Sequence, residues 1–181
     1  MQVKGPATEA FLKRPPGDIE LVLLYGPDSG LVRVRSKTLE GLILAGESSP
    51  FSLIEMSDLA LKDAPGALYA EAAACVMLGG RKFIRVRATP EISAAALEAY
   101  STERAAGAPR PDALIVVEAG ELRASHRLRK LAESASEIAA IACYPDTDAT
   151  LEALVEHELK AHAVRLTDEA RAALLQRLGN D

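Results

Sequence analysis

The segment Gly26-Pro-Asp-Ser-Gly-Leu-Val-Arg33 is where phosphate chemistry would be sought, because it directly follows a compact apolar run, Glu20-Leu-Val-Leu-Leu-Tyr25. A phosphate-binding loop needs glycines for close backbone approach, a lysine on the outer phosphates and a Ser or Thr for magnesium, spaced G-x-x-x-x-G-K-[S/T]. Counted from Gly26, Leu31 stands at the second glycine position, Val32 at the lysine and Arg33 at the Ser/Thr. The frame of the motif is present without the residues that hold ATP and magnesium. Arg33 and Arg35 could hold an anion, although arginines on an exposed helix ordinarily face solvent.

A nucleoside triphosphatase also needs an Asp for the metal, often followed by a Glu, at the end of a second strand. Here Leu114-Ile-Val-Val117 runs into Glu118-Ala-Gly120, so one carboxylate stands alone and a structural role suits Glu118 better than a magnesium ligand. The histidines offer no metal centre. His157 and His162 are five residues apart, which on a helix turns them about 140° from each other, whereas the H-E-x-x-H pattern needs four. No Ser-His-Asp or Cys-His arrangement stands at informative spacing. A phospho-receiver would need acids after its first and third strands; Asp28 is single and Arg87-Ala-Thr89 offers none. No cofactor and no metal are expected.

Composition narrows the classes further. The chain has 181 residues, and 21 Lys and Arg against 26 Asp and Glu leave a formal charge of −5. A globally basic nucleic-acid binder is excluded, and only small basic clusters occur: Arg81-Lys82 with Arg85 and Arg87, and Arg123 with Arg127, Arg129 and Lys130. Such clusters are usually solvated faces. Cys75 and Cys143 are too few for a disulfide framework, and both sit in apolar settings. No apolar run approaches a membrane span. A reduced, cytoplasmic protein with no membrane partner is expected.

The elements that would position these residues alternate in type. Glu20–Tyr25, Phe51–Met56, Lys82–Val86, Ala113–Glu118 and Ile138–Ala142 read as five strands. Helical spacing starts at Asp28 and stops at Gly46 and Ser48-Ser-Pro50. A second helix is expected from a cap at Asp63 to about Met77, with Gly79-Gly80 ending it. Thr89-Pro-Glu91 opens a third, and Ser125 caps a fourth. Five strands alternating with helices predict an α/β fold, a three-layer, five-stranded parallel sheet joined by right-handed crossovers. After Tyr144-Pro145 the alternation stops. Leu151, Leu154, Val155 and Leu159 form one helical stripe, and Ala170, Ala173, Leu174 and Leu178 another. A boundary near Pro145 separates residues 1–145 from residues 146–181, which read as the start of a small all-helical domain.

Cys75-Val-Met-Leu-Gly-Gly-Arg81 leaves two readings open. A helix end usually folds a hydrophobic residue back beside its terminating glycine, which would turn Met77 and Leu78 inward. The alternative is an exposed apolar knob shaped for a partner's pocket.

Taken in order, Leu23-Leu-Tyr-Gly-Pro-Asp-Ser-Gly-Leu-Val-Arg33, Leu78-Gly-Gly-Arg-Lys-Phe-Ile-Arg-Val86, Leu114-Ile-Val-Val-Glu-Ala-Gly120, Leu128-Arg-Lys-Leu-Ala-Glu133, Ile141-Ala-Cys-Tyr144 and Leu166-Thr-Asp-Glu-Ala-Arg171 resemble the delta subunit of the bacterial DNA polymerase III clamp loader. The emptied phosphate loop is part of the likeness. The resemblance implies an AAA+-like (P-loop-like) first domain without functional Walker motifs, a helical lid-like second domain within which this chain ends, and a helical collar that it lacks. It implies no catalysis by the chain itself and a place in the DNA polymerase holoenzyme, opening the sliding clamp. The partners implied are the clamp, the other loader subunits through the collar, and primer-template DNA weakly or indirectly. In the family an apolar pair just past the second helix wedges into the clamp. Those positions correspond here to Met77 and Leu78, where the family often has leucine and phenylalanine. With the resemblance added, the exposed knob becomes the favoured reading. The alternative is a divergent P-loop-like nucleotide-binding protein or ATPase using Glu118 with Arg33 and Arg35.

Overall fold

The computed structural model describes residues 1–45, 52–74, 80–144, 155, 156, 159, 162 and 164–178. The chain forms two compact units, Met1–Tyr144 and Pro145–Asp181. In the first, β1 (Gln2–Val3) and α1 (Pro6–Lys13) precede β2 (Leu21–Tyr25) and α2 (Ser29–Leu44). There follow β3 (Leu53–Ser57), α3 (Asp58–Leu61), α4 (Ala67–Ala73), β4 (Lys82–Arg87), α5 (Pro90–Ala105), β5 (Ala113–Ala119), α6 (Arg127–Ser134) and β6 (Ile138–Ala142). In the second unit the described residues include α7 (Asp168–Leu178), where Arg171 pairs with Glu156 at 3.1 Å. Among the described residues no helix is long and apolar enough to cross a membrane.

The sheet has six strands in the order β1-β6-β2-β5-β4-β3, every pair parallel. One strand more than expected is present. It is β1, whose Gln2 and Val3 pair with Ala140 and Ile141 at the edge. Two residues carry no periodicity, so nothing in the sequence marks them.

The chain's direction across the sheet decides the layers. From β2 it crosses to the far edge at β3, then returns through β4 and β5 and passes over β2 to β6. Right-handed crossovers in opposite directions put α2 on one face and α4, α5 and α6 on the other. Alternate strand residues accordingly enter two cores. Val22, Leu24, Phe83, Leu114, Val116 and Ile141 pack with Val32 and Leu39 of α2 and Phe11 of α1. Leu21, Leu23, Tyr25, Ile84, Val86, Ile115 and Val117 pack with Leu68, Leu97 and Leu128. Because both faces are covered, the central strands read as unbroken apolar runs.

Three local expectations are corrected. Asp63 does not start the helix expected there: a short helix, α3, ends before it, and between α3 and α4 is a turn in which the Ala67 amide donates to the Ala64 carbonyl at 2.9 Å. Pro65-Gly66 belongs to that turn, not to a helix first turn, and α4 begins only at Ala67. The α6 cap is His126, not Ser125: its Nδ1 accepts from the Leu128 amide at 3.2 Å. The strand expected from Phe51 to Met56 runs Leu53–Ser57. Gly46, Ser48-Ser49-Pro50, Phe51, Cys75, Met77, Leu78, Gly79, Leu151, Leu154 and His157 lie outside the described residues.

Candidate functional site: the cleft at the carboxyl ends of the strands

In an open parallel sheet, ligands enter where crossovers leave neighbouring strands in opposite directions, outside the carboxyl ends. Here those strands are β2 and β5, and a cleft of about 490 Å³ opens there. Gly26, Val32, Arg33 and Glu118, four residues singled out by the sequence, all line it. Leu31 does not; it packs half-buried against the core beneath α2.

The loop after β2 has the course of a phosphate loop and spends its groups on other bonds. The Gly26 amide donates to the Gly120 carbonyl at 3.1 Å, and the Asp28 amide to the Cys143 carbonyl at 3.3 Å. Pro27 has no N–H to give. Gly26 has φ +153°, and a Cβ there would lie 1.9 Å from the Cys143 carbonyl oxygen. This glycine therefore lets the loop press against the chain leaving β6. At the start of α2 the Asp28 carboxylate caps the helix, accepting from the Leu31 amide at 2.8 Å. The positive end of a helix favours an anion, and Asp28 is one supplied by the chain itself. Arg33 is exposed at the cleft and has no hydrogen bond or ion pair among the described residues.

The opposite wall is equally committed. Glu118 is only 11% exposed, and its two oxygens meet Arg85 Nε at 3.1 Å and Arg87 Nε at 2.8 Å. Arg85 also pairs with Glu40 of α2 and with Glu55 of β3 at 2.8 Å. Burial works against the Arg85 charge, but hydrogen bonds to Glu55 and Glu40 outweigh it and hold its pKa above the usual arginine value. Among the described residues no group of carboxylates, histidines and cysteines is arranged to hold a metal ion. With Val32 in the lysine position, Asp28 at the helix end and Glu118 bound to two guanidinium groups, these residues do not fit a magnesium nucleotide.

No protein-family model and no curated protein matches the chain. Solved structures do. The DNA clamp loader delta protein of Bacillus subtilis superposes with a TM-score of 0.58 over 86% of this chain at 16% sequence identity. A DNA polymerase III gamma subunit-related protein of Thermotoga maritima gives a TM-score of 0.50 over 83% at 17% identity. Over that range the chain shares the fold of these two structures. The chain spans about half the length of these two structures, 47% and 49%.

Within this fold the remaining candidates are dispersed. Arg35 turns away from any ligand: its Nη1 donates to the Ala142 carbonyl at 2.8 Å and contacts Cys143 Sγ at 3.4 Å. Cys143 is buried, and desolvation raises its thiol pKa. Met77 and Leu78 belong to the connection between α4 and β4, outside the described residues. The basic cluster on β4 is not a solvated face. Lys82 is 4% exposed and donates to both the carbonyl and a carboxylate oxygen of Glu71 at 2.8 Å.

A second buried charge escaped the sequence reading. Glu20, 4% exposed at the start of β2, accepts from Tyr100 at 2.8 Å and from Arg104 at 2.9 Å, with Arg110 at 3.4 Å. Desolvation would raise its pKa, but Arg104 and Tyr100 outweigh that and hold it below the usual carboxylate value. The signal available was an acid directly before five fully buried strand residues, which only a buried cationic partner would accommodate.

Proposed function

We propose that this chain is the amino-terminal part of a clamp-loader delta-like subunit, a non-catalytic component of a DNA polymerase III holoenzyme that binds the sliding clamp and helps open it. One observation supports the reading: a fold similar to a clamp-loader delta protein in which the groups a nucleotide would need are engaged by the chain itself, Asp28 capping α2 and Arg85 and Arg87 holding Glu118. A subunit built this way works through contact instead of hydrolysis. Met77 and Leu78 are the proposed wedge. Burying two such side chains supplies about 3–5 kcal/mol before association costs, enough to anchor an interface but not to define it. Opening follows only from tighter binding to the open ring than to the closed one, since a ligand shifts an equilibrium by that difference alone. Assembly with other loader subunits would use a helical collar, and contact with primer-template DNA would be weak and salt-sensitive.

The test is clamp affinity, measured by surface plasmon resonance for wild type and for Met77→Ala with Leu78→Ala. The pair should weaken binding by roughly 10- to 100-fold while the thermal unfolding curve is retained. Equal affinities would remove the wedge.

A further inference from the structure

The outward side of α2 carries cations and no acid. The helix has one acid, Glu40, and it is paired with Arg85 of β4. Arg33 and Lys37, one turn apart, are exposed and have no hydrogen bond or ion pair among the described residues. In a chain with a formal charge of −5, these two positive charges stand without an internal counterpart. Beside them runs an apolar row at the same four-residue step. Val34 is 61% exposed and Leu42 40%, and Thr38 between them spends its hydroxyl on the Val34 carbonyl at 3.0 Å. Gly41 adjoins Leu42 on this face. A glycine in a helix interior lowers stability relative to alanine, yet nothing within the chain calls for this one: its φ is not positive, and an added Cβ would meet no atom within 4 Å. A bare backbone at that point lets another chain come close.

We propose that this face of α2 is the docking surface for an acidic amphipathic helix of a partner protein, with carboxylates on Arg33 and Lys37 and an apolar row laid along Val34 and Leu42. Side chains four residues apart are neighbours on a helix, so a partner with acids and leucines in adjacent rows matches both rows at once. At 16 residues α2 is about 24 Å long, room for four turns of such a partner. A nucleic-acid backbone would answer the two cations and leave the apolar row in water, and its affinity comes from many phosphate contacts, not two. A bilayer needs a longer apolar face than Val34 and Leu42 provide. Met77 and Leu78 belong to a different part of the chain, so this inference does not rest on the wedge.

The experiment is fluorescence anisotropy of the 181-residue chain with a labelled helical peptide of about 18 residues that carries glutamate and leucine in adjacent four-residue rows. Wild type should bind it with a Kd on the order of 0.1 mM and favour it about 10-fold over the same peptide with lysine for glutamate. Arg33→Glu with Lys37→Glu should reverse that preference. Val34→Ser with Leu42→Ser should weaken binding roughly 10-fold. Both variants should melt within about 2 °C of wild type, because the four side chains lie outside the two cores. Met77→Ala with Leu78→Ala should bind the peptide as wild type does, so failure of this surface and failure of the wedge are separable. Should a variant not fold, the peptide preference of wild type decides alone. Absence of saturable binding below about 2 mM, or equal affinity for the two peptides, overturns the proposal. So does tighter binding to a DNA duplex, or to phosphatidylcholine–phosphatidylglycerol vesicles, than to the glutamate peptide. Self-association of wild type that Val34→Ser with Leu42→Ser abolishes would give the face to a second copy and overturn it too.

Discussion

Replacing Gly26 by alanine separates the two roles a glycine at this position can have. In a phosphate loop it would open the backbone to a ligand, and alanine would harm ligand binding more than folding. Here the glycine lets two backbones meet. The new Cβ would stand 1.9 Å from the Cys143 oxygen and 2.5 Å from its carbonyl carbon, and both atoms are main chain and cannot swing aside. The left-handed φ adds about 1–3 kcal/mol of strain. Pushing the end of β6 away breaks the bond from the Cys143 amide to the Tyr25 carbonyl, 2.7 Å, and the bond from the Asp28 amide to the Cys143 carbonyl, 3.3 Å. At about 1 kcal/mol each these bring the total to about 3–5 kcal/mol. For a chain of this length that corresponds to a Tm lower by roughly 6–20 °C. Gly41 is the control. It lies exposed within α2, and a Cβ added there would meet no atom within 4 Å, so alanine should raise Tm by roughly 1–4 °C through helix propensity. Circular dichroism melts of both variants without nucleotide decide the matter. A Gly26→Ala protein melting within about 2 °C of wild type would refute the backbone-contact account.

Glu20→Gln should cost about 2–4 kcal/mol at pH 7 by urea unfolding, below the figure for a wholly buried pair because Arg104 and Arg110 keep contact with water. The Glu20 pKa is lowered in the folded state, so its contribution is complete above the unfolded value of about 4.3 and is lost as pH falls through the folded value. The difference between wild type and Glu20→Gln should therefore be widest at neutral pH and shrink in acid; a gap that is constant or grows on acidification contradicts the ion-pair assignment. Asp28→Ala removes the α2 cap and should lower stability by about 1 kcal/mol in thermal or urea melts, with no change counting against the capping role.

The sheet was legible because its central strands are buried on both faces, which turns them into unbroken apolar runs such as Leu21–Tyr25 and, within β5, residues 113–117. The start of α2 was legible too, since Asp28 both ends the loop and caps the helix. What escaped depends on pairings the chain reveals only when folded. Lys82, Arg85 and Arg87 look like a solvated strand face. The acids that neutralise them come from Glu71, Glu40, Glu55 and Glu118, on four other elements distant in sequence. Pro65 resembled the first-turn proline of a helix, and only the Ala64–Ala67 turn shows that the chain bends there. The strand β1 is legible only through its partner β6. For Glu118 the sequence favours a structural role over a magnesium ligand, but its two arginine partners are read only from the fold.

The claim on which the rest depends is that the groups at the carboxyl ends of these strands are engaged by the chain's own charges and not by a nucleotide. A differential scanning fluorimetry titration of the wild-type chain with Mg-ATP up to millimolar concentration addresses it directly. A ligand at 100 times its Kd adds about 2.7 kcal/mol, roughly 5–11 °C for a chain of this length. The account predicts an unchanged Tm throughout; a saturable rise of several degrees would contradict it.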